Sequence, residues 1–163
     1  MAILVTAASK YGSTLEIGVA IRDELNARGL DAEFLEPSAV DDPRRYDAFI
    51  VGSAIYMGRW QAPAREFLSA HREVLAERPV WLFSSGPLGD APGVGIDDRE
   101  LAELMALSGA RDHRLFAGKL DRAELGFGER LITRVVRAPD GDFRDWDEIR
   151  AWADEIAAAL AAA

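Results

Sequence analysis

Ala2-Ile3-Leu4-Val5-Thr6 runs straight into Ala7-Ala8-Ser9-Lys10-Tyr11-Gly12-Ser13-Thr14, and a helical pattern opens at Leu15. The first of these stretches is an apolar run of strand length. The second is small and rich in hydroxyls, with a single glycine. Ile17, Ile21 and Leu25 then recur at a spacing that places them on one face of a helix. A strand feeding a helix through such a loop offers an anion the first N–H groups of the helix, which lack backbone partners, and the positive end of its dipole. Ser9, Ser13 and Thr14 add hydroxyl donors, and Gly12 lets the backbone come close to a ligand. Two readings fit the loop: a cradle for a phosphate group, or an ordinary strand-to-helix turn with Ser13 or Thr14 as N-cap.

The loop chemistry narrows the choice of phosphate. A nucleoside triphosphate site needs G-x-x-x-x-G-K-[ST], and a dinucleotide site needs G-x-G-x-x-G. Neither spacing occurs here. Ser9-x-Tyr11-Gly12-x-Thr14 instead resembles the phosphate loop of flavodoxins, [ST]-x-T-G-x-T, with Tyr11 in place of the middle Thr. In that family, hydroxyls and backbone N–H groups hold the phosphate of FMN without requiring a positive charge. The resemblance implies that Ser9, Lys10, Tyr11, Gly12, Ser13 and Thr14 surround that phosphate.

The rest of the chain alternates strand and helix signals. Gly29 closes the first helix, and Asp31-Ala32-Glu33-Phe34-Leu35 is a short strand stopped by Pro37. Residues 38–45 are a polar connection with at most a turn of helix. Ala48-Phe49-Ile50-Val51 and Val80-Trp81-Leu82-Phe83 are continuous apolar runs, as expected of strands buried on both faces. A helix carrying Phe67, Leu68, Val74 and Leu75 separates them. A helix through Leu101, Leu104, Met105 and Leu107 and a strand over His113–Ala117 follow. Phe127 to Arg137 reads as an extra helix and Trp146 to Leu160 as the terminal one. Such alternation predicts a parallel sheet covered on both faces. The expected fold is a flavodoxin-like three-layer α/β sandwich in one domain, residues 1–163, with a five-stranded parallel sheet in the order 2-1-3-4-5.

Ligands of such sheets sit beyond the carboxyl ends of the strands, beside the point where the strand order reverses. Two further loops are therefore candidates. Gly52 to Trp60 combines glycines with Ser53, Tyr56 and Trp60, and exposed aromatics there would suit a flat flavin ring. The alternative is that Tyr56 and Trp60 simply close the base of the next helix. Ser84-Ser85-Gly86-Pro87-Leu88-Gly89 would line the other side of the ring. The cofactor set expected from these loops is Ser53, Ala54, Ile55, Tyr56, Met57, Gly58, Trp60, Ser84, Ser85, Gly86, Pro87, Leu88 and Gly89, beside the phosphate loop.

Val51-Gly52-Ser53-Ala54-Ile55-Tyr56-Met57-Gly58, with Glu66-Phe67-Leu68, looks like the flavodoxin-type, menaquinone-dependent protoporphyrinogen oxidases. Phe116-Ala117-Gly118-Lys119-Leu120 and Asp145-Trp146 echo the same pattern. That family has an extra segment between its last strand and last helix, linked to its use of quinone and porphyrin. Its counterpart here, Asp121 to Asp142, is shorter. Within it, Leu131/Ile132 and Val135/Val136 share a helix face beside a stripe of Arg130, Arg134 and Arg137. Such a helix either lies on an anionic membrane or holds acidic groups, or it packs on the sheet with solvated arginines.

Composition bounds the alternatives. The chain has 163 residues, 49% of them hydrophobic, no cysteine, and a formal net charge of −9. Disulfides, thiolate catalysis and Cys-ligated clusters are excluded. The acidic balance argues against nucleic acid, and serves either solubility or docking to basic partners. Neither a secretory signal nor an apolar stretch of membrane-spanning length is expected, so a cytoplasmic protein is predicted, with peripheral contact on the inner face of the membrane through Phe127 to Arg137. His71 and His113 lack metal-ligand spacing, and no Ser lies in a G-x-S-x-G elbow. A phosphorelay receiver would need acidic residues after the first strand and an Asp after the third, where this chain has Ala7-Ala8 and Ser53.

The expectation is an FMN-binding redox protein. Its readings are an oxidoreductase that takes a porphyrinogen-like substrate and passes electrons to a quinone, a soluble carrier serving an electron-transfer protein, and a flavin-free binding module on the same fold. No catalytic side chain is singled out.

Overall fold

A computed structural model describes residues 1–86, 95–120, 141, 142 and 144–162. The helix expected over Phe127 to Arg137 and the loop positions Pro87, Leu88 and Gly89 lie outside them.

The elements follow as β1 (Ala2–Ala8), α1 (Ser13–Ala27), β2 (Asp31–Phe34), β3 (Ala48–Tyr56), β4 (Arg59–Trp60), α2 (Ala62–Ala70), α3 (Arg72–Ala76), β5 (Val80–Gly86), α4 (Asp98–Ser108), β6 (Asp112–Ala117), β7 (Lys119–Leu120), β8 (Gly141–Asp142) and α5 (Trp146–Ala161). Five strands pair in parallel in the order β2-β1-β3-β5-β6, which is 2-1-3-4-5 when the long strands alone are counted. The sheet departs from expectation by a sixth strand, β4, which folds back antiparallel on the end of β3. A separate ribbon pairs β7 with β8.

Alternation along the strands builds two cores. Ile3, Val5 and Ala7 face α1 and α5, where they meet Ile17, Ile21, Leu25, Ile149, Trp152 and Ile156. Leu4, Ala8, Phe49, Val51, Val80 and Leu82 face the other way, toward Ala64, Phe67 and Leu68 of α2, Leu75 of α3 and Leu104 of α4. The first core is centred on Phe83, Phe116 and Trp152, with ring centroids 5.5–6.2 Å apart. Gly52 makes room for it, since a Cβ there would lie 2.2 Å from the Phe83 ring.

Three strands run further than their apolar stretches suggest. β1 continues to Ala8, β3 through Gly52 to Tyr56, and β5 through Ser84 to Gly86. Pairing holds these ends extended, with Ala8 opposite Ser53, Ala54 opposite Ser85, and Gly86 opposite Ala117. Gly52, Ser53, Ser84, Ser85 and Gly86 in these ends are small or polar, so hydrophobicity fails to mark them. The single helix expected before β5 is two, α2 and α3, divided at His71, which leaves helical geometry at φ −113° and ψ 18°. Among the described residues, no helix is long and apolar enough to cross a membrane.

Candidate functional site

β1 ends at Ala8, beside the point where β2 departs on one side and β3 on the other. The turn that follows is tied from within, as the Gly12 N–H donates to Ser9 Oγ at 3.0 Å. The Ser9 hydroxyl proton stays available to a further acceptor. Gly12 adopts φ 88°, in the left-handed region, with nothing within 4 Å of where a Cβ would stand. Backbone conformation rather than crowding therefore calls for glycine here. Gly12 is the N-cap of α1, and no side chain among the described residues caps the helix, which overturns the alternative of a Ser13 or Thr14 cap. The first backbone bond of the helix runs from Glu16 N–H to the Gly12 carbonyl at 3.3 Å. The N–H groups of Ser13, Thr14 and Leu15 thus open outward at the positive end of the dipole.

Thr14 is 1% exposed, and its Oγ1 has no hydrogen-bond partner among the described residues. A buried hydroxyl left in this state costs about 1–3 kcal/mol. Thr6 Oγ1 shares that state, but in the interior of β1 and away from the helix end. At Thr14 the orphan coincides with unpaired N–H groups and a left-handed glycine, a donor set that an anionic oxygen completes.

The expected ring loop is a hairpin. Tyr56 pairs with Arg59 across a two-residue turn in which Met57 (φ 52°) and Gly58 (φ 80°) are both left-handed, the type I′ geometry that matches strand twist. The hairpin is seated on α4. Asp97 N–H donates to the Gly58 carbonyl at 2.8 Å. Glu100, 5% exposed, accepts from Trp60 N–H at 2.9 Å and pairs with Arg59 at 3.4 Å.

The structure separates the two aromatics that the sequence treats alike. Tyr56 is 41% exposed and Met57 69%, at the hairpin tip. Trp60 is 2% exposed and belongs to the second core. Its Nε1–H donates to Ser84 Oγ at 2.7 Å, and Ser84 Oγ lies 2.7 Å from His113 Nε2. Ser84 Oγ, accepting from the indole, keeps both a proton and a second lone pair for this contact, so either neutral imidazole tautomer makes the bond. Burial pushes the His113 imidazole below its ordinary value, against the pull of Asp112, so the ring is held neutral. Ser53 Oγ is likewise engaged, donating to the Ala54 carbonyl and accepting from Gln61 N–H, each at 2.8 Å. Ser53 and Ser84 therefore offer a ligand their backbone, while their hydroxyls brace the hairpin.

The cradle and the hairpin meet at Lys10, whose Nζ lies 5.6 Å from the Tyr11 ring centroid and 5.4 Å from that of Tyr56. Ala54 and Ile55 are half-buried in β3, and Ser85 and Gly86 end β5 alongside. Of the residues expected around a flavin, the structure thus gathers the phosphate loop, the hairpin tip and the end of β5 on one edge of the sheet.

Two positions had no sequence signal. Glu100 reads as an ordinary acidic residue of a first helical turn. Arg144 lies 131 positions from Ser13, yet its Nη1 donates to the Ser13 carbonyl at 3.2 Å. It also pairs with Glu16 at 2.6 Å and with both carboxylate oxygens of Asp142 at 2.7 and 2.8 Å. The Arg144 guanidinium holds the Asp142 carboxyl down to about 2.

Fold and site together define a doubly wound α/β fold with an open helix start and a buried threonine hydroxyl at the carboxyl end of its first strand, next to the reversal of strand order. The Flavodoxin domain family matches residues 4–147, and the chain belongs to that family, whose cofactor is FMN. Protoporphyrinogen IX dehydrogenase (quinone) of Escherichia coli strain K12 is 22% identical over 172 residues, covering 96% of this chain and 95% of that protein. A flavodoxin from the domain Archaea superposes with a TM-score of 0.64 at 19% identity, covering 98% of this chain and 99% of that one. Rubredoxin oxygen:oxidoreductase of Desulfovibrio gigas matches 99% of this chain with a TM-score of 0.61 at 14% identity, and the chain spans 36% of that longer protein.

Proposed function

We propose that this chain is an FMN-dependent oxidoreductase of the quinone-dependent protoporphyrinogen oxidase type, working in the cytoplasm. The observation that carries the cofactor site is the buried, unpartnered Thr14 hydroxyl at the open end of α1. In this reading Thr14 Oγ1, Ser9 Oγ and the N–H groups of residues 13–15 hold the phosphate, and Gly12 lets it approach. Tyr56 and Met57 flank the ring from the β3–β4 hairpin, and the ends of β3 and β5 offer backbone groups to its edge. Bound FMN supplies the acceptance of electrons from a reduced substrate and their release to an acceptor.

The substrate class rests on the end-to-end likeness to the Escherichia coli dehydrogenase. The net charge of −9 supports a second reading, a carrier that docks on a basic electron-transfer protein. Anaerobic FMN titration followed by a porphyrinogen assay separates them. Porphyrinogen-dependent reduction of menaquinone by the FMN-loaded protein alone is the expected result. Flavin binding without such turnover would select the carrier, and absence of flavin binding would remove both. In the same reading the segment Phe127 to Arg137 touches the membrane, so binding to anionic vesicles should fall when Arg130, Arg134 and Arg137 are changed together to Gln.

A further inference from the structure

Arg144 stands where helix electrostatics disfavour it. A cation is stabilised at a helix C-terminus and opposed at the N-terminus, yet this guanidinium lies against the first turn of α1 with its side chain 5% exposed. It is locked there. Asp142 takes Nε and Nη2 in a two-pronged bond, Glu16 takes Nη1, and the Trp146 ring lies 4.6 Å from its centre. Two carboxylates against one guanidinium leave the group with one net negative charge, so the cluster adds no general attraction for an anion.

Its specific effect is directional. Nη1 also donates to the Ser13 carbonyl. In a helix the carbonyl and the N–H of one peptide point opposite ways along the axis. The unit whose oxygen meets Arg144 therefore turns its other end, Thr14 N–H, toward the cradle. A charged donor on the oxygen draws electron density from the nitrogen, which strengthens that N–H as a donor. It also fixes the first turn, on which the Thr14 hydroxyl is carried.

We infer that Arg144 is a positioning residue of the anion site: it orients and polarises the Ser13–Thr14 peptide from behind, so that the cradle discriminates for a phosphate-bearing flavin. The inference rests on the reading of the cradle as the FMN phosphate site. Asp142 and Glu16 serve it by holding the guanidinium in place.

The test is the ratio of affinities for FMN and riboflavin, read by quenching of flavin fluorescence, so that no turnover is needed. The wild-type protein should bind FMN more tightly. Arg144→Gln should weaken FMN tenfold or more and leave riboflavin within twofold, and Arg144→Lys, which keeps the charge and loses the fork, should fall between. A brace for the fold alone would lower both affinities together. A ratio unchanged in Arg144→Gln would overturn the role of Arg144 and leave the cradle standing. Equal wild-type affinities for the two flavins would overturn the cradle itself, and the inference with it. Should Arg144→Gln not fold, the ratio is read in Asp142→Asn, which releases the fork, and an unchanged ratio there overturns the inference equally.

Discussion

Thr14→Val makes the most direct demand on the cradle, because it should move two quantities in opposite directions. Valine keeps the branched shape and removes the hydroxyl. In the protein without flavin, Thr14 Oγ1 is buried with no partner, so its loss relieves a penalty of about 1–3 kcal/mol. For a domain of this size, each kcal/mol corresponds to a shift in Tm of about 2–4 °C. With FMN, the same hydroxyl donates to a charged phosphate, a bond worth about 1.5–3 kcal/mol. At about 1.4 kcal/mol per decade, affinity should fall roughly 10- to 150-fold. Thermal unfolding of the flavin-free protein and fluorescence titration with FMN and riboflavin measure both effects. The expected outcome is a flavin-free protein that melts higher, binds FMN more weakly and binds riboflavin as before. A variant that melts lower while keeping its FMN affinity would show that Thr14 Oγ1 serves the fold, and the cradle would lose its main support.

Gly52→Ala should destabilise the fold by about 1–3 kcal/mol in urea unfolding, because the added methyl would stand 2.2 Å from the Phe83 ring. Tyr56→Ala should lower flavin affinity with little change in stability, whereas Trp60→Ala should destabilise the protein by about 3–5 kcal/mol, as expected of a buried aromatic that also loses its bond to Ser84; paired melts and titrations distinguish them. His113 contributes a pH dependence of definite sign. Its folded imidazole resists protonation, so between that lowered value and the ordinary one of about 6.5 the unfolded chain binds more protons. Stability should be full above about pH 6.5 and decline as pH falls through that window. His113→Gln, which keeps an acceptor for Ser84 and removes the titration, should flatten the decline in urea melts taken across pH.

The strand order was legible because apolar runs alternate with helical spacing, and the turn from β1 into α1 because the Ser9–Thr14 loop has a distinctive spelling. What was not legible shares a cause: it depends on residues that come together only once the sheet exists. Ser53 and Ser84 look like ligand hydroxyls until Gln61, Trp60 and His113 arrive to occupy them. Gly52 looks like the start of a loop until Phe83 is seen filling the space above it. Trp60 and Tyr56 are equivalent as letters, and only the type I′ turn between them decides which one enters the core. Arg144 is invisible from sequence, since nothing in the residues around it refers to Ser13.

The β7–β8 ribbon has a consequence for how this architecture can vary. Because Leu120 is registered against Gly141, the two ends of the intervening stretch of sequence are held side by side. The closure is made by backbone pairing that does not depend on what is strung between. For a flexible loop closed in this way, added length is cheap, about 0.6 kcal/mol for each doubling. The ribbon therefore works as a socket, whose closure rests on the β7–β8 pairing and not on the sequence between the two strands. A change of length or chemistry between Leu120 and Gly141 can thus be made as a cassette, without rewriting the five parallel strands.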